Sequence, residues 1–444
     1  MNDSRRDVLR SLLILALPTC LEELLSTMLQ YVDTAMVGQL GQEATAAVSV
    51  TTTVTWLIGS LSHAIAIAVL TLISRAIGEG DKEKIKKVSS QALILSVISG
   101  IVLGAVSLGL SPFIPVWMGA EENIRYTAGV YFAIISLPMI FRNMTSILGA
   151  AVRGTKDTVR PMFISFGGNV INIGLNYLFI YVLDMGVTGA AVGTAVSYTI
   201  SGIAMFVVYR RNESLRWKKL DTDFKETGRI LVYDLPLMAH SAVSCLGYIV
   251  FAAIVARLGT TVFAAHSIAV NAETLFYISC YGLRTAAQTM VGISAGEGNR
   301  KKFEDTTAVS ILTIVCMMAL SGAVLYFASS PLMSLLTSNG EVAELGAGML
   351  RLVAVSEPFF GLMVVSQGIF YGLGRNNYPF IIEIISMWGI RILFTALCVY
   401  LWGFGLYEIW LCMIADNVFK ALALTTPLSV RKIRRRLFTG VEKA

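Results

Sequence analysis

Arg210-Arg211-Asn212-Glu213-Ser214-Leu215-Arg216-Trp217-Lys218-Lys219 opens the longest polar stretch of the chain, residues 210–229, near the middle of a sequence that is otherwise a succession of apolar runs. Of the 444 residues, 55% are hydrophobic and only 14% charged, whereas a soluble domain carries about 25% charged residues. The mean hydropathy is +0.69. A spanning helix needs about 20 largely apolar residues. Six such runs precede the polar stretch, at residues 11–38, 46–74, 88–110, 126–150, 161–183 and 188–209. Six follow it, at 230–257, 263–295, 305–328, 347–371, 378–400 and 406–428. The runs are continuous rather than alternating, which argues against a β-barrel. The expected fold is an all-α polytopic membrane protein with twelve transmembrane helices. Met1 to Arg10 are charged, and the run after them has no small-residue cleavage pattern, so it reads as a retained first helix.

The basic residues give the orientation. Of 35 Lys and Arg, 28 fall in segments on the side of both termini, only Arg125 and Arg257 lie in outer loops, and Arg142, Arg284, Arg351, Arg391 and Lys420 fall within spans. Cytoplasmic loops carry such an excess, which predicts cytoplasmic N- and C-termini in a cell (inner) membrane. An odd number of spans would destroy the partition. The net charge of +6 is thereby a topology signal and implies no nucleic-acid partner. Arg431 to Arg436 reads as a cytoplasmic tail that meets anionic headgroups of the bilayer. A monomer is expected.

The two halves repeat at an offset of 218 residues. Leu17-Pro18 matches Leu235-Pro236, Leu40-Gly41 matches Leu258-Gly259, and Gly78-Glu79-Gly80 matches Gly296-Glu297-Gly298. Ala46-Ala47 and Ser49 match Ala264-Ala265 and Ser267, and Gly154 and Pro161 match Gly372 and Pro379. Because each half has an even number of spans, the repeat is parallel, about a pseudo-two-fold axis along the membrane normal. This gives an N-lobe (1–209), a cytoplasmic linker (210–229), a C-lobe (230–428) and a basic tail (429–444). Such paired lobes enclose a substrate site and rock for alternating access.

Shared residues describe scaffold, so the unshared polar residues inside spans are the candidates for chemistry. An ionisable group in the hydrocarbon core is costly and faces a cavity or a partner. Glu22 and Asp33 on the first span are eleven residues apart and share a helix face. Asn169, Asn172 and Asn176 form a polar stripe on the fifth span, and their repeat counterparts are Met387, Ile390 and Phe394. Carboxylate and amide oxygens are hard ligands suited to Na⁺ at Asp33, Asn172 and Asn176, or to a protonatable Asp33 with partners. Helix–helix adhesion is the structural alternative for the asparagines.

In the second half Glu273, Tyr277, Tyr281, Arg284 and Gln288 recur at helical spacing along the eighth span, and His240, Ser244 and Tyr248 do so along the seventh. Acid, phenol and aromatic surface suit a cationic organic ligand. Arg284 would instead greet a carboxylate or phosphate, or be neutralised by Glu383 or Glu357. Asp416 and Lys420, at i and i+4, are expected to pair. His63 and His266 read as interior histidines, and the six cysteines as buried thiols without metal-ligand spacing.

The sequence resembles the multidrug and toxic compound extrusion transporters over nearly its whole length. Pro18 followed by Val32-Asp33-Thr34-Ala35-Met36-Val37-Gly38 is similar to the family's first-helix signature, and the two Gly-Glu-Gly turns are similar to its paired cytoplasmic turns. Asn172, Asn176-Tyr177 and Gly189-Ala190-Ala191 resemble the fifth and sixth spans of its NorM-like branch. The resemblance implies that Asp33, Asn172, Asn176 and Thr194 form an N-lobe cation or proton site. NorM-type members carry acids in the seventh and tenth spans where this chain has Ser244 and Phe360, which shifts the coupling onto Asp33. Glu273 lies near the acidic position that eukaryotic-type relatives use in the eighth span.

The expected function is a cation-coupled antiporter, driven by H⁺ or Na⁺ and free of cofactors, that exports amphipathic or cationic organic compounds by alternating access. The alternative in the same superfamily is a flippase or exporter of a lipid-linked or anionic cargo, which an arginine-rich cavity would favour. An enzyme is not expected: no His-Glu-x-x-His, paired Asp or Ser–His arrangement occurs inside the spans, and the chain has three histidines.

Overall fold

The structure is a computed structural model that describes residues 3–217 and 224–439. Residues 218–223 of the linker and 440–444 of the tail lie outside the described residues. The first half runs through helices α1 (Asp3–Gly38), α2 (Gln42–Glu79), α3 (Lys82–Leu110), α4 (Ile114–Trp117), α5 (Glu122–Ser136), α6 (Met139–Gly154), α7 (Val159–Tyr177) and α8 (Gly186–Arg211). The second runs through α9 (Phe224–Ala256), α10 (Thr260–Tyr277), α11 (Cys280–Gly296), α12 (Arg300–Leu336), α13 (Gly340–Ala354), α14 (Glu357–Gly372), α15 (Asn377–Ser386), α16 (Leu393–Tyr400), α17 (Leu406–Ser429) and α18 (Arg431–Thr439). A π-helical segment, Leu178–Val182, follows α7, and another, Met387–Ile392, joins α15 to α16.

Among the described residues nine helices are long and apolar enough to cross a membrane, or up to 11 when each bent pair is taken as one span. The bent pairs are α5 with α6, at 49°, and α13 with α14, at 56°. Their breaks occupy repeat-equivalent positions. The remaining span, residues 263–295 by sequence, is divided at Ile278–Ser279 into α10 and α11. Its counterpart α2 runs unbroken, so this break belongs to the second half alone. The carbonyls at the break have partners on α1: Cys20 Sγ donates to Ser279 O and Thr19 Oγ1 to Gly282 O, both at 3.1 Å.

The described chain separates into two compact units, Leu24–Met238 (here the N-unit) and Met1–Glu23 with Ala239–Ala444 (the C-unit). Each boundary falls inside the first helix of a half, α1 or α9, so the start of each helix goes with the other half of the sequence.

Within the N-unit α6 packs against α2, α3 and α8; within the C-unit its counterpart α14 packs against α11, α12 and α17. The repeat is visible atom by atom. A Cβ on Gly154 would lie 2.8 Å from Ile73, and a Cβ on Gly372 would lie 3.0 Å from Val291, the residue 218 positions after Ile73. Backbone angles repeat too: φ is 68° at Gly80 and 62° at Gly298, and 69° at Lys156 and 73° at Gly374. Gly80 and Gly298 supply the left-handed turn that stops one helix. Asp81 and Asn299, next in sequence, then cap α3 and α12 with side-chain oxygens that accept from Lys84 N and Lys302 N.

Buried polar groups fasten the bundle where hydrocarbon cannot satisfy them. In the N-unit Asn143, fully buried, accepts from Ser62 Oγ at 2.7 Å and donates to Ser99 Oγ at 2.9 Å, joining α2, α3 and α6. Two expectations fail here. Cys316 on α12 and His63 on α2 are exposed rather than interior. His266 is interior as expected, ringed by Phe251, Phe263 and Trp410.

Candidate functional site

Repeat-equivalent helices carry a polar junction in each unit. In the N-unit it joins α1, α7 and α8. The stripe Asn169, Asn172, Asn176 arises because three- and four-residue steps return to one face of α7. Asn176 Nδ2 donates to Asp33 Oδ1 and lies 3.5 Å from Asn172 Oδ1, while Asn172 Nδ2 donates to Thr194 Oγ1 at 3.2 Å. The four residues singled out by sequence therefore meet in one hydrogen-bonded run. Asn169 continues the stripe by donating to Ser26 Oγ at 3.1 Å.

Asn176 is fully buried and its Oδ1 has no hydrogen-bond donor. An acceptor left so in an apolar interior is costly. Here it lies beside a half-buried carboxylate. A Cβ on Gly193 would stand 2.2 Å from that oxygen, so α8 approaches because position 193 has no side chain. No Lys or Arg makes an ion pair with Asp33 among the described residues; its hydrogen-bond donor is a neutral amide. Chemically this is a carboxylate plus amide and hydroxyl oxygens, which can hold a proton or a small hard cation. No group of three His, Cys, Asp or Glu side chains that could hold a metal occurs among the described residues.

Glu22 does not join Asp33. Both lie on α1, but Glu22 is buried in the C-unit and Asp33 falls in the N-unit. The shared face was correct as helix geometry; packing divides it.

In the C-unit the junction joins α9, α15 with its π-helical extension, and α17. Ser244 Oγ donates to Glu383 Oε1 at 2.7 Å, and His240 Nε2 stands 3.6 Å from Glu383 Oε2. Lys420 Nζ lies 3.0 Å from Glu383 Oε2 and 3.2 Å from Asp416 Oδ2. Arg391, carried by the π-helical segment, contacts Asp416 Oδ2 through Nε and Nη2, each at 2.8 Å, and donates to Asn417 Oδ1 at 3.0 Å. Its guanidinium faces the Tyr248 ring at 5.3 Å. Ser386 Oγ donates to Asp416. Asp416, Lys420, Glu383 and Arg391 are all buried, at 0, 3, 4 and 3% exposure. Two carboxylates thus meet two cations out of water, and partial removal of such a network is costly.

The sequence placed His240, Ser244 and Tyr248 on one face and paired Asp416 with Lys420. It missed that Glu383 and Arg391 complete the cluster. The signal was available as the charges Glu383, Arg391, Asp416 and Lys420 on the last two spans, but their pairing depends on how those spans pack.

The remaining candidates are divided between two helices by the break. Glu273 and Tyr277 lie on α10, and Tyr281 and Arg284 on α11 beyond the break. Tyr277 packs against Phe360 with ring centres 4.7 Å apart and planes tilted by 48°, and Arg284 lies over its neighbour Tyr281 at 4.8 Å. Glu357, which the sequence offered as a partner for Arg284, is 1% exposed with neither carboxylate oxygen hydrogen-bonded.

A family profile described as MatE matches residues 18–178 and 236–397, once in each half. The chain is 26% identical over 440 residues to the probable multidrug resistance protein NorM of Thermotoga maritima, covering 98% of this chain and 95% of that one. It is also 26% identical over 404 residues to the multidrug resistance protein NorM of Photobacterium profundum, covering 87% of each. In fold it is similar to a mutant of the Vibrio cholerae MATE transporter VcmN, with a TM-score of 0.92 at 20% identity over 99% of this chain and all of that one.

Proposed function

The chain belongs to the MatE family, whose members are transporters and not enzymes, and from that premise we propose that it is a cation-coupled antiporter exporting amphipathic or cationic organic compounds. An inward gradient of H⁺ or Na⁺ loads Asp33, and the loaded and empty states favour different accesses of the transporter. The ion must bind the two states unequally, or it shifts nothing. One charge crossing 100 mV supplies about 2.3 kcal/mol, enough for a modest concentration gradient of the exported compound. The names of the NorM relatives support multidrug compounds as the cargo class.

The observation that carries the reading is the run Asp33–Asn176–Asn172–Thr194, within which Asn176 Oδ1 is buried and undonated. A lipid-linked or anionic cargo would call on intramembrane arginines. All four have local partners: Arg142 the Tyr198 ring, Arg351 Ser329 and Ser330, and Arg391 Asp416. The fourth, Arg284, lies over Tyr281.

The test uses proteoliposomes loaded with a fluorescent organic cation, with pH and Na⁺ gradients imposed separately. Wild type is expected to respond to one of them. Asp33→Asn is expected to fold and insert but lose gradient-driven efflux. Coupled efflux retained in that variant would refute the role of Asp33. A wild type silent to both gradients but active in lipid scrambling would replace the antiporter by a flippase.

A further inference from the structure

The two polar junctions sit on repeat-equivalent helices: α1, α7 and α8 correspond to α9, the α15–α16 span and α17. They are tied alike, since Ser26 and Ser244 occupy equivalent positions and bond Asn169 and Glu383 respectively. Their charge differs. At Asp33 the carboxylate meets an amide. At the C-unit junction Glu383 and Asp416, from different spans, point their Oε2 and Oδ2 at a single ammonium, Lys420 Nζ, at 3.0 and 3.2 Å.

Two converging carboxylate oxygens in a buried pocket of protein are what a monovalent cation would seek. The pocket already holds one, on a four-carbon stem. Arg391 balances the second carboxylate, so the cluster of Glu383, Asp416, Lys420 and Arg391 has no net charge. Position 202, the repeat equivalent of Lys420, is a glycine packed on Phe141, where a Cβ would come within 2.5 Å. The two copies of the framework therefore differ here, with an ammonium in one and no side chain in the other.

We propose that Lys420 is a tethered cation: its ammonium occupies a monovalent-cation site formed by Glu383 and Asp416, so the C-unit junction is permanently loaded and takes no exchangeable Na⁺. Removing the ammonium while keeping both carboxylates uncovers the site. The consequence for coupling, that only the Asp33 junction exchanges an ion, rests on the antiport reading; the site itself does not.

The test is cation binding to purified full-length protein in detergent, with Na⁺ and methylammonium as probes. Four forms are compared: wild type, Lys420→Ala, Lys420→Ala with Glu383→Gln, and Lys420→Ala with Asp33→Asn. Lys420→Ala is expected to bind one more cation per chain than wild type and to gain thermal stability from methylammonium. The gain persists with Asp33→Asn and disappears with Glu383→Gln. No additional cation and no stabilisation by either probe would overturn the proposal. So would an additional cation that survives Glu383→Gln.

Should Lys420→Ala accumulate only when methylammonium is present from extraction onward, that rescue is itself the expected result. Failure of rescue while the charge-balanced Glu383→Gln double variant folds would count against the site. A wild type that shows no gradient-driven efflux defeats the antiport reading and leaves these binding results standing.

Discussion

Gly193 and Lys156 show how single positions set the limits of this scaffold. At Gly193 the absent Cβ lets α8 reach Asn176, and a methyl group would lie 2.2 Å from Asn176 Oδ1. Gly193→Ala should therefore displace the Asn176 amide from Asp33 and destabilise the protein by about 1–3 kcal/mol, the usual cost of overpacking. Gradient-driven efflux and the thermal midpoint measured together would check this, and an unchanged value of both would count against it. Lys156 is the reverse case. It adopts φ 69°, where its repeat partner is Gly374 at 73°, and a non-glycine residue there costs about 1–2 kcal/mol. Lys156→Gly should raise the thermal midpoint, whereas Gly374→Lys should lower it. The Asn stripe was legible at this scale because a 3.6-residue period is a property of sequence. The clash at Gly193 was not, because it depends on a neighbouring helix.

Helix ends repeat as faithfully as helix faces. α3 and α12 each begin after a left-handed glycine and are capped by the next residue, Asp81 or Asn299. An N-cap truncated to alanine loses about 1 kcal/mol. Asp81→Ala and Asn299→Ala should each lower stability by that amount, and the double variant by the sum, because the caps share no partner. Chemical denaturation in mixed micelles would read both the single and the combined effects. The break between α10 and α11 escaped the sequence because Glu273, Tyr277, Tyr281, Arg284 and Gln288 keep their spacing straight through it, with neither Pro nor Gly at Ile278–Ser279. What accommodates the break is α1, whose Thr19 and Cys20 donate to its carbonyls. Such a long-range partner leaves no local mark.

Across the whole molecule, the apolar spans were legible because a bilayer forces apolar runs, and the placement of Lys and Arg predicts their orientation. The predicted sidedness has a direct check. In a background without native cysteines, Glu122→Cys at the start of α5 should react with an impermeant maleimide from outside. Glu83→Cys at the start of α3 should react only after permeabilisation. Both native side chains are well exposed, at 90% and 85%, and reversed labelling would invert the topology. The charged junction of the C-unit was illegible as a whole, since Glu383, Arg391, Asp416 and Lys420 meet only once α9, α15 and α17 are packed. Long-range partnership also has a temporal side. The first 23 residues pack into a unit whose other members begin at Ala239, and Thr19 bonds Gly282, 263 positions later. At ribosomal speeds of about 5–20 residues per second, α1 waits on the order of ten seconds to a minute for its partner to be synthesised. During that interval Thr19 Oγ1 has only the carbonyls of Leu15 and Ala16 on its own helix to bond, and the third acceptor, Gly282 O, is still unmade.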